Sequence, residues 1–258
     1  GKLVENNIIN LNIYNQGLLY GATVFTTMRV YQKSLESPLT NWQAHYDRLN
    51  NSIKNFNWQI PDWDKIKEGC HKLLNWFPVL RITVFADGKE LIMGRNLPEN
   101  LSNMQQNGVK GWLADVNFQR CLNEHKTGNY LSPWLAWHKA QKLGAQEAIL
   151  RDSQGNWLET STGNLWGYKD GIWFTPSLKT GILPGIIRNM IIKKANFPIQ
   201  ENIWSEEFVK TLEAIAYSNC VVEFILFNQI INYHKLWGQS IDNHEYNQIK
   251  SIFSYFKK

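Results

Sequence analysis

Between Glu147 and Phe174 the chain holds four short apolar stretches: Glu147 to Leu150, Asn156 to Glu159, Leu165 to Tyr168 and Gly171 to Phe174. Each is too short for a stable helix, and turns containing Gly separate them. That pattern demands a sheet assembled from neighbours in sequence. Helices flank it. Ser132-Pro133 is a helix start and Gly144 a stop. Pro184 opens a helix through Lys194, Ser205 opens another, and Asn243 to Phe256 closes the chain as a helix. Ala214 to Phe227 reads as β. Strands grouped beside helices give an α+β class.

The N-terminal part mixes both elements. Leu18 to Val30 reads as β. Asn41 to Phe56 sets Trp42, Tyr46, Leu49, Ile53 and Phe56 at helical spacing, and a second helix follows Pro61 with Trp63, Ile66, Cys70, Leu73 and Phe77 on one face. Val79 to Ala86 and Glu90 to Met93 read as strands around an Asp87-Gly88 turn. Leu97 to Gly108 is polar and rich in Asn and Gln, as a connection would be. Gly111 to Phe118 reads as the next strand. The division expected is a small α/β N-terminal domain over 1–103, an interdomain linker over 104–112 and a larger C-terminal domain over 113–258, with an active site between the two lobes.

Composition excludes several classes. At 258 residues and 43% hydrophobic, the chain can bury a real core. Twelve Trp point to core and interface filling. No apolar run reaches membrane-span length and no signal peptide opens the chain, so no membrane partner is expected. Cys70, Cys121 and Cys220 are scattered, with no CxxC, and the six His show no HExxH pairing. Neither a disulfide framework nor a metal site is implied, and a cytoplasmic location fits. The net charge of +5 is spread along the chain without a nucleic-acid motif. It suits anionic small molecules better than nucleic acid.

Three segments carry chemistry. His125-Lys126-Thr127-Gly128-Asn129-Tyr130 offers an amine just before a helix. Leu158-Glu159-Thr160-Ser161-Thr162-Gly163-Asn164-Leu165 offers a carboxylate just before small polar residues. Leu183-Pro184-Gly185-Ile186-Ile187-Arg188 offers a helix start, where backbone N–H groups and the helix dipole favour an anion and Gly185 allows close approach. Taken alone, Lys126 reads as a surface lysine, Glu159 as a strand-end charge and Pro184-Gly185 as a turn. Together they supply an amine able to condense with an aldehyde, an acid able to pair with a ring nitrogen, and a phosphate seat. Those are the needs of a pyridoxal-phosphate (PLP) enzyme.

In this order the segments resemble the class IV aminotransferases, the fold-type IV PLP enzymes, from about Gly17 to Glu223. The resemblance implies a two-lobed, D-amino-acid aminotransferase-like α+β architecture and a homodimer. It also implies site roles. Lys126 would carry the cofactor and act as the catalytic base, and Tyr130 would donate to the phenolic oxygen. Glu159 would hold the pyridine nitrogen. Arg48, in His45-Tyr46-Asp47-Arg48-Leu49, would grip the phosphate with the N–H groups of Gly185, Ile186 and Ile187. Ser218-Asn219-Cys220 falls where the family supplies a further phosphate contact, often a hydroxyl. Cys220 stands at that position, which leaves Ser218 or Asn219 to take over. Asn164 and Arg188 are read as structural.

The strand Phe25-Thr26-Thr27-Met28-Arg29 looks like that of the aminodeoxychorismate lyases within this family. The function implied is conversion of 4-amino-4-deoxychorismate to 4-aminobenzoate and pyruvate, a step toward folate. Thr27, Arg29, Arg81 and Arg95 are the candidate contacts for this small dianionic substrate. A transaminase acting on branched-chain or D-amino acids is the alternative. A non-catalytic binding protein on the same fold is a lesser one.

Overall fold

The computed structural model describes residues 8–233 and 243–255. The chain divides into two compact units: Gly1–Leu97 with His125–Tyr130, and Pro98–Glu124 with Leu131–Lys258. The second unit is therefore interrupted by a short excursion of chain into the first.

The first unit opens with α1 (Gln16–Tyr20), a single helical turn. Asn15 caps its start by accepting from the Leu18 N–H, and Gly21 ends it in the left-handed conformation (φ 65°). The stretch expected to be β from Leu18 thus becomes a strand only at β1 (Thr23–Arg29). After it come α2 (Trp42–Asn55), α3 (Trp63–Leu73), β2 (Val79–Phe85) and β3 (Glu90–Arg95). The three strands form an antiparallel sheet in the order β1-β2-β3. Gly88 turns the β2–β3 connection at φ 76°, as the Asp-Gly pair requires.

Alternation along the strands sorts this sheet into two faces. Val24, Met28, Leu80, Ile82 and Val84 point to the helices and pack with Leu49 and Ile53 of α2 and Ile66 and Cys70 of α3. The opposite row of β1 is Phe25, Thr27 and Arg29. Thr27 lies across from Arg81, and Arg81 across from Met93.

The second unit begins with α4 (Leu101–Asn107) and β4 (Val109–Leu113). These elements occupy the stretch expected to be a linker, 104–112. The strand expected through Phe118 ends at Leu113, and Val116–Phe118 is a 3-10 turn. Beyond the excursion, α5 (Leu131–Lys142) crosses over to β5 (Glu147–Arg151), which runs parallel to β4. The meander expected from the sequence follows as β6 (Trp157–Thr160), β7 (Asn164–Lys169) and β8 (Ile172–Pro176). Then come α6 (Ile186–Lys194), β9 (Ile199–Asn202), α7 (Glu206–Thr211), β10 (Ala214–Asn219), β11 (Glu223–Ile231) and α8 (Asn243–Tyr255). The sheet order is β10-β11-β4-β5-β6-β7-β8-β9, and β10 also pairs with β7, so the strands return on themselves.

Trp112, Trp157, Trp166, Trp173 and Trp204 are all fully buried in this unit, which accounts for part of the Trp excess. Small residues let α5 lie close to the sheet: Ala136 and Ala140 pack on Trp112, Ala148 and Leu150. Among the described residues, no helix is long and apolar enough to cross a membrane.

Candidate active site

In the first unit, residues 125–130 lie along the edge of β1. The Phe25 N–H donates to the Lys126 carbonyl at 2.9 Å and the Gly128 N–H to the Thr23 carbonyl at 2.7 Å, with Val24 and Thr127 bridged. Gly128 permits this approach, because a Cβ there would run into the Thr23 hydroxyl. The Lys126 ammonium sits 4.8 Å from the ring of Phe25 and 5.4 Å from that of Tyr130. Those two rings meet edge to face at 5.7 Å. His125 is anchored beside it: Nδ1 lies 2.9 Å from Ser52 Oγ, and its ring 4.5 Å from Phe56.

Arg48 comes from α2, one turn after the buried His45. Its Nη2 donates to Thr26 Oγ1 at 2.6 Å, and the same hydroxyl lies 2.6 Å from His45 Nδ1. Burial holds His45 well below the usual imidazole range, and the positive charges of Arg48 and Lys126 push the same way. Thr26 therefore faces the helices. Its neighbour Thr27 faces the other side of the sheet, in the row with Phe25 and Arg29. Arg81 stacks on Phe25 with its guanidinium carbon 3.7 Å from the ring centre. Burial first, and the charge of Arg95 second, lower the proton affinity of Arg81. Arg29 lies over the ring of Tyr31 at 4.8 Å.

In the second unit, Glu159 stands near the end of β6, 4% exposed. Its Oε1 is 3.2 Å from Arg120 Nη1, and its Oε2 accepts from the Leu183 N–H at 3.1 Å. Asn164 donates to the Leu183 carbonyl at 2.8 Å. The two peptide groups flanking Leu183 are thus each held by a side chain, just before α6. Gly185 caps that helix without a side-chain hydrogen bond, and a Cβ there would collide with Asn164 Oδ1. Ile186 and Ile187 follow, both buried, in the first turn. Arg188 is indeed structural: fully buried, it pairs with Glu201 at 2.7 Å and donates to the Pro176 carbonyl at 3.1 Å.

Ser218 and Asn219 serve the sheet corner. Ser218 Oγ accepts from Trp166 Nε1 at 2.9 Å and is buried. Asn219 Oδ1 accepts from the N–H groups of Val221 and Val222, and its Nδ2 donates to Thr162 Oγ1 at 3.1 Å.

Two carboxylate partnerships were not expected from the sequence. Arg120 is one. Glu147 is the other, 3% exposed in β5, accepting from Ser161 Oγ at 2.9 Å, Thr162 N at 3.2 Å and Thr162 Oγ1 at 2.6 Å. Burial raises its proton affinity while these donors oppose the rise. It clamps the turn that immediately follows Glu159. An acid after Ala145-Gln146 in a buried strand was the available signal, since a lone carboxylate there must find donors.

Lysine, buried acid and open helix start occur in the order expected of one family, and its profile, Amino-transferase class IV, matches residues 23–230. The chain belongs to the class IV amino-transferases. Among curated members, it is 25% identical over 252 residues to the branched-chain-amino-acid aminotransferase of Escherichia coli K12, covering 86% of this chain and 81% of that one. Among solved structures, it superposes on a candidate 4-amino-4-deoxychorismate lyase from Legionella pneumophila with a TM-score of 0.82 at 18% identity, covering 97% of both chains. It also matches a hypothetical aminotransferase from Mycobacterium tuberculosis in its PLP-bound form, with a TM-score of 0.81 at 15% identity, covering 98% of this chain and 96% of that one. At those identities the likeness is one of fold: this class IV chain has the α+β, fold-type IV architecture.

Proposed function

We propose that this class IV enzyme uses pyridoxal phosphate to convert 4-amino-4-deoxychorismate to 4-aminobenzoate and pyruvate. The residues present fit the cofactor. At the start of α6, Asn164 Oδ1 stands where a Gly185 Cβ would be, so only glycine fits there, and Gly185 offers the first-turn N–H groups no side-chain cap. Those of Ile186 and Ile187, with Arg48, would hold the phosphate. Glu159, held by Arg120, would face the ring nitrogen, and Tyr130 the phenolic oxygen. When bound, the cofactor supplies an aldehyde that captures amines and a ring that takes up the electrons of a carbanion.

The protein's own work is binding, orientation and proton transfer. Lys126 Nζ would hold the cofactor and, as a free amine, would take the proton from the substrate carbon that bears the amino group. The carboxylate of Glu159, paired with Arg120 at 3.2 Å, would favour a proton on a ring nitrogen placed against it. Elimination of the enolpyruvyl ether then leaves an aromatic ring.

The observation that carries the lyase over amino transfer is the basic face of the first sheet. Arg81 is stacked on Phe25, feels the charge of Arg95 and lies across from Thr27. Arg29 shares that face. Such a surface suits a substrate with two carboxylates better than an aliphatic side chain. Amino transfer is the second reading, supported by the branched-chain relative. One paired assay decides: fresh 4-amino-4-deoxychorismate with both products followed, beside branched-chain and D-amino acids with 2-oxoglutarate. Release of 4-aminobenzoate and pyruvate is expected. Rapid amino transfer with no 4-aminobenzoate reverses the ranking.

A homodimer belongs to the same reading. Ile13, Tyr14, Leu18 and Tyr20 are all more than half exposed around α1, an apolar surface that a second copy would cover. Sedimentation at micromolar protein giving active monomer alone would contradict it.

A further inference from the structure

The helix-facing row of β1 is Val24, Thr26 and Met28, and Thr26 is its polar member, with no exposed surface. A hydroxyl in that position must be matched or it destabilises the core. Its partners come from successive turns of α2: His45 Nδ1 and Arg48 Nη2, each at 2.6 Å.

Chemistry gives this contact a direction. A guanidinium only donates, so Thr26 Oγ1 accepts from Arg48. The hydroxyl keeps one proton to give, and the nitrogen facing it belongs to a histidine that burial keeps neutral. With the His45 proton on Nε2, the tautomer that gives the Thr26 hydroxyl an acceptor, protons point from Arg48 to Thr26 and from Thr26 to His45. Each bond polarises the next, so a hydroxyl that donates to imidazole is a better acceptor for Arg48. Thr26 is β-branched and fixed in a strand, which restricts its rotamer. Pinning Nη2 fixes the plane of a rigid fork, where a lysine would present a swivelling point charge.

We propose that His45, acting through the Thr26 hydroxyl, is a positioning residue that aims the Arg48 guanidinium at a phosphate monoester. The proposal rests on the reading of Arg48 as an anchor of the cofactor phosphate. It separates the roles of the adjacent threonines: Thr26 serves the phosphate end from within the core, and Thr27 stands on the opposite face.

The test compares dissociation constants of the full chain for pyridoxal phosphate and for pyridoxal, which lacks the phosphate. The variants are Thr26→Val, Thr26→Ser, His45→Asn, His45→Gln and Arg48→Gln. In His45→Asn the amide oxygen replaces Nδ1, whereas in His45→Gln it stands nearer the place of Nε2. Thr26→Val, His45→Gln and Arg48→Gln are expected to weaken pyridoxal phosphate by about tenfold or more and to leave pyridoxal unchanged. Thr26→Ser and His45→Asn should bind both as the parent does. The two polar His45 variants carry the comparison if Thr26→Val fails to fold. If Arg48→Gln loses phosphate selectivity while Thr26→Val and His45→Gln keep it, the positioning role is overturned and the phosphate reading survives. Equal weakening of both ligands would reduce the hydroxyl to a fold-holding group and also overturn it. Full retention of pyridoxal phosphate by Arg48→Gln would remove the phosphate reading and the proposal together.

Discussion

The guanidinium of Arg120 lies 3.2 Å from the carboxylate of Glu159, with both side chains less than a tenth exposed. A pair so buried contributes less to stability than its removal costs, since either partner alone is an uncompensated charge. Arg120→Gln should destabilise the protein by about 3–5 kcal/mol. Arg120→Gln/Glu159→Gln should recover much of that loss. Urea unfolding of the two single variants and the double variant measures the coupling, and simple additivity would show that the two groups act independently.

Cys70 is fully buried between α3 and the first sheet, and burial pushes its thiol up to about 12. Cys121 is exposed and Cys220 half-buried. A thiolate-directed disulfide reagent at pH 8 should therefore label at most Cys121 and Cys220 in the native protein. Cys70 should react only at the rate of unfolding. Labelling all three at similar rates would mean that the first unit opens readily.

Glu147 binds its proton more tightly folded than unfolded, chiefly through burial. Its contribution to stability is thus present below the ordinary carboxylate value of 4.5 and lost as pH rises through the folded value. Glu147→Gln removes that dependence. Relative to the parent, the variant should gain stability as pH rises from 5 toward 8. Urea midpoints at several pH values give the slope, and parallel curves would refute the burial effect.

His45 has the opposite sign. Its folded proton affinity is depressed, so the unfolded chain takes up a proton first as pH falls below about 6.5. The stability it contributes is present above that pH and lost on acidification. His45→Asn should flatten the fall between pH 7 and pH 5 while the carboxylates still titrate. An unchanged acid limb would show that the imidazole becomes charged in place.

Local rules explain what was legible. Ser205 caps α7 by accepting from the Phe208 N–H, and Gly144 adopts φ 80° just beyond α5. Both signals lie within a few residues of what they control. The helix α4 was missed because Leu101-Ser102-Asn103-Met104-Gln105-Gln106-Asn107 is polar and buries only Leu101 and Met104. Its carbonyls are satisfied from far away: Tyr246 Oη donates to Gln105 O at 2.7 Å and Asn228 Nδ2 to Asn107 O at 3.0 Å. No local pattern announces donors more than a hundred residues distant.

The same distinction runs through the candidate site. Lys126, Glu159 and the start of α6 are each marked by contiguous motifs. Arg120 is 39 residues from Glu159 and Glu147 is 15 from Thr162, so their partnerships exist only once strands are paired. The division of labour between Thr26 and Thr27 follows from strand alternation, but which of the two faces the core depends on α2 lying on one side.

The excursion of His125–Tyr130 has a consequence for how the chain is made. Ribosomal synthesis delivers α1 through β3 before the segment that lines the edge of β1. Until roughly thirty further residues emerge, on the order of seconds later, that edge offers unpaired N–H and C=O groups to any passing strand. Completing the first unit therefore waits on a stretch embedded in the second. A truncated chain ending at Leu97 would carry an open sheet edge and no lysine motif, the profile of an aggregating fragment instead of an autonomous domain.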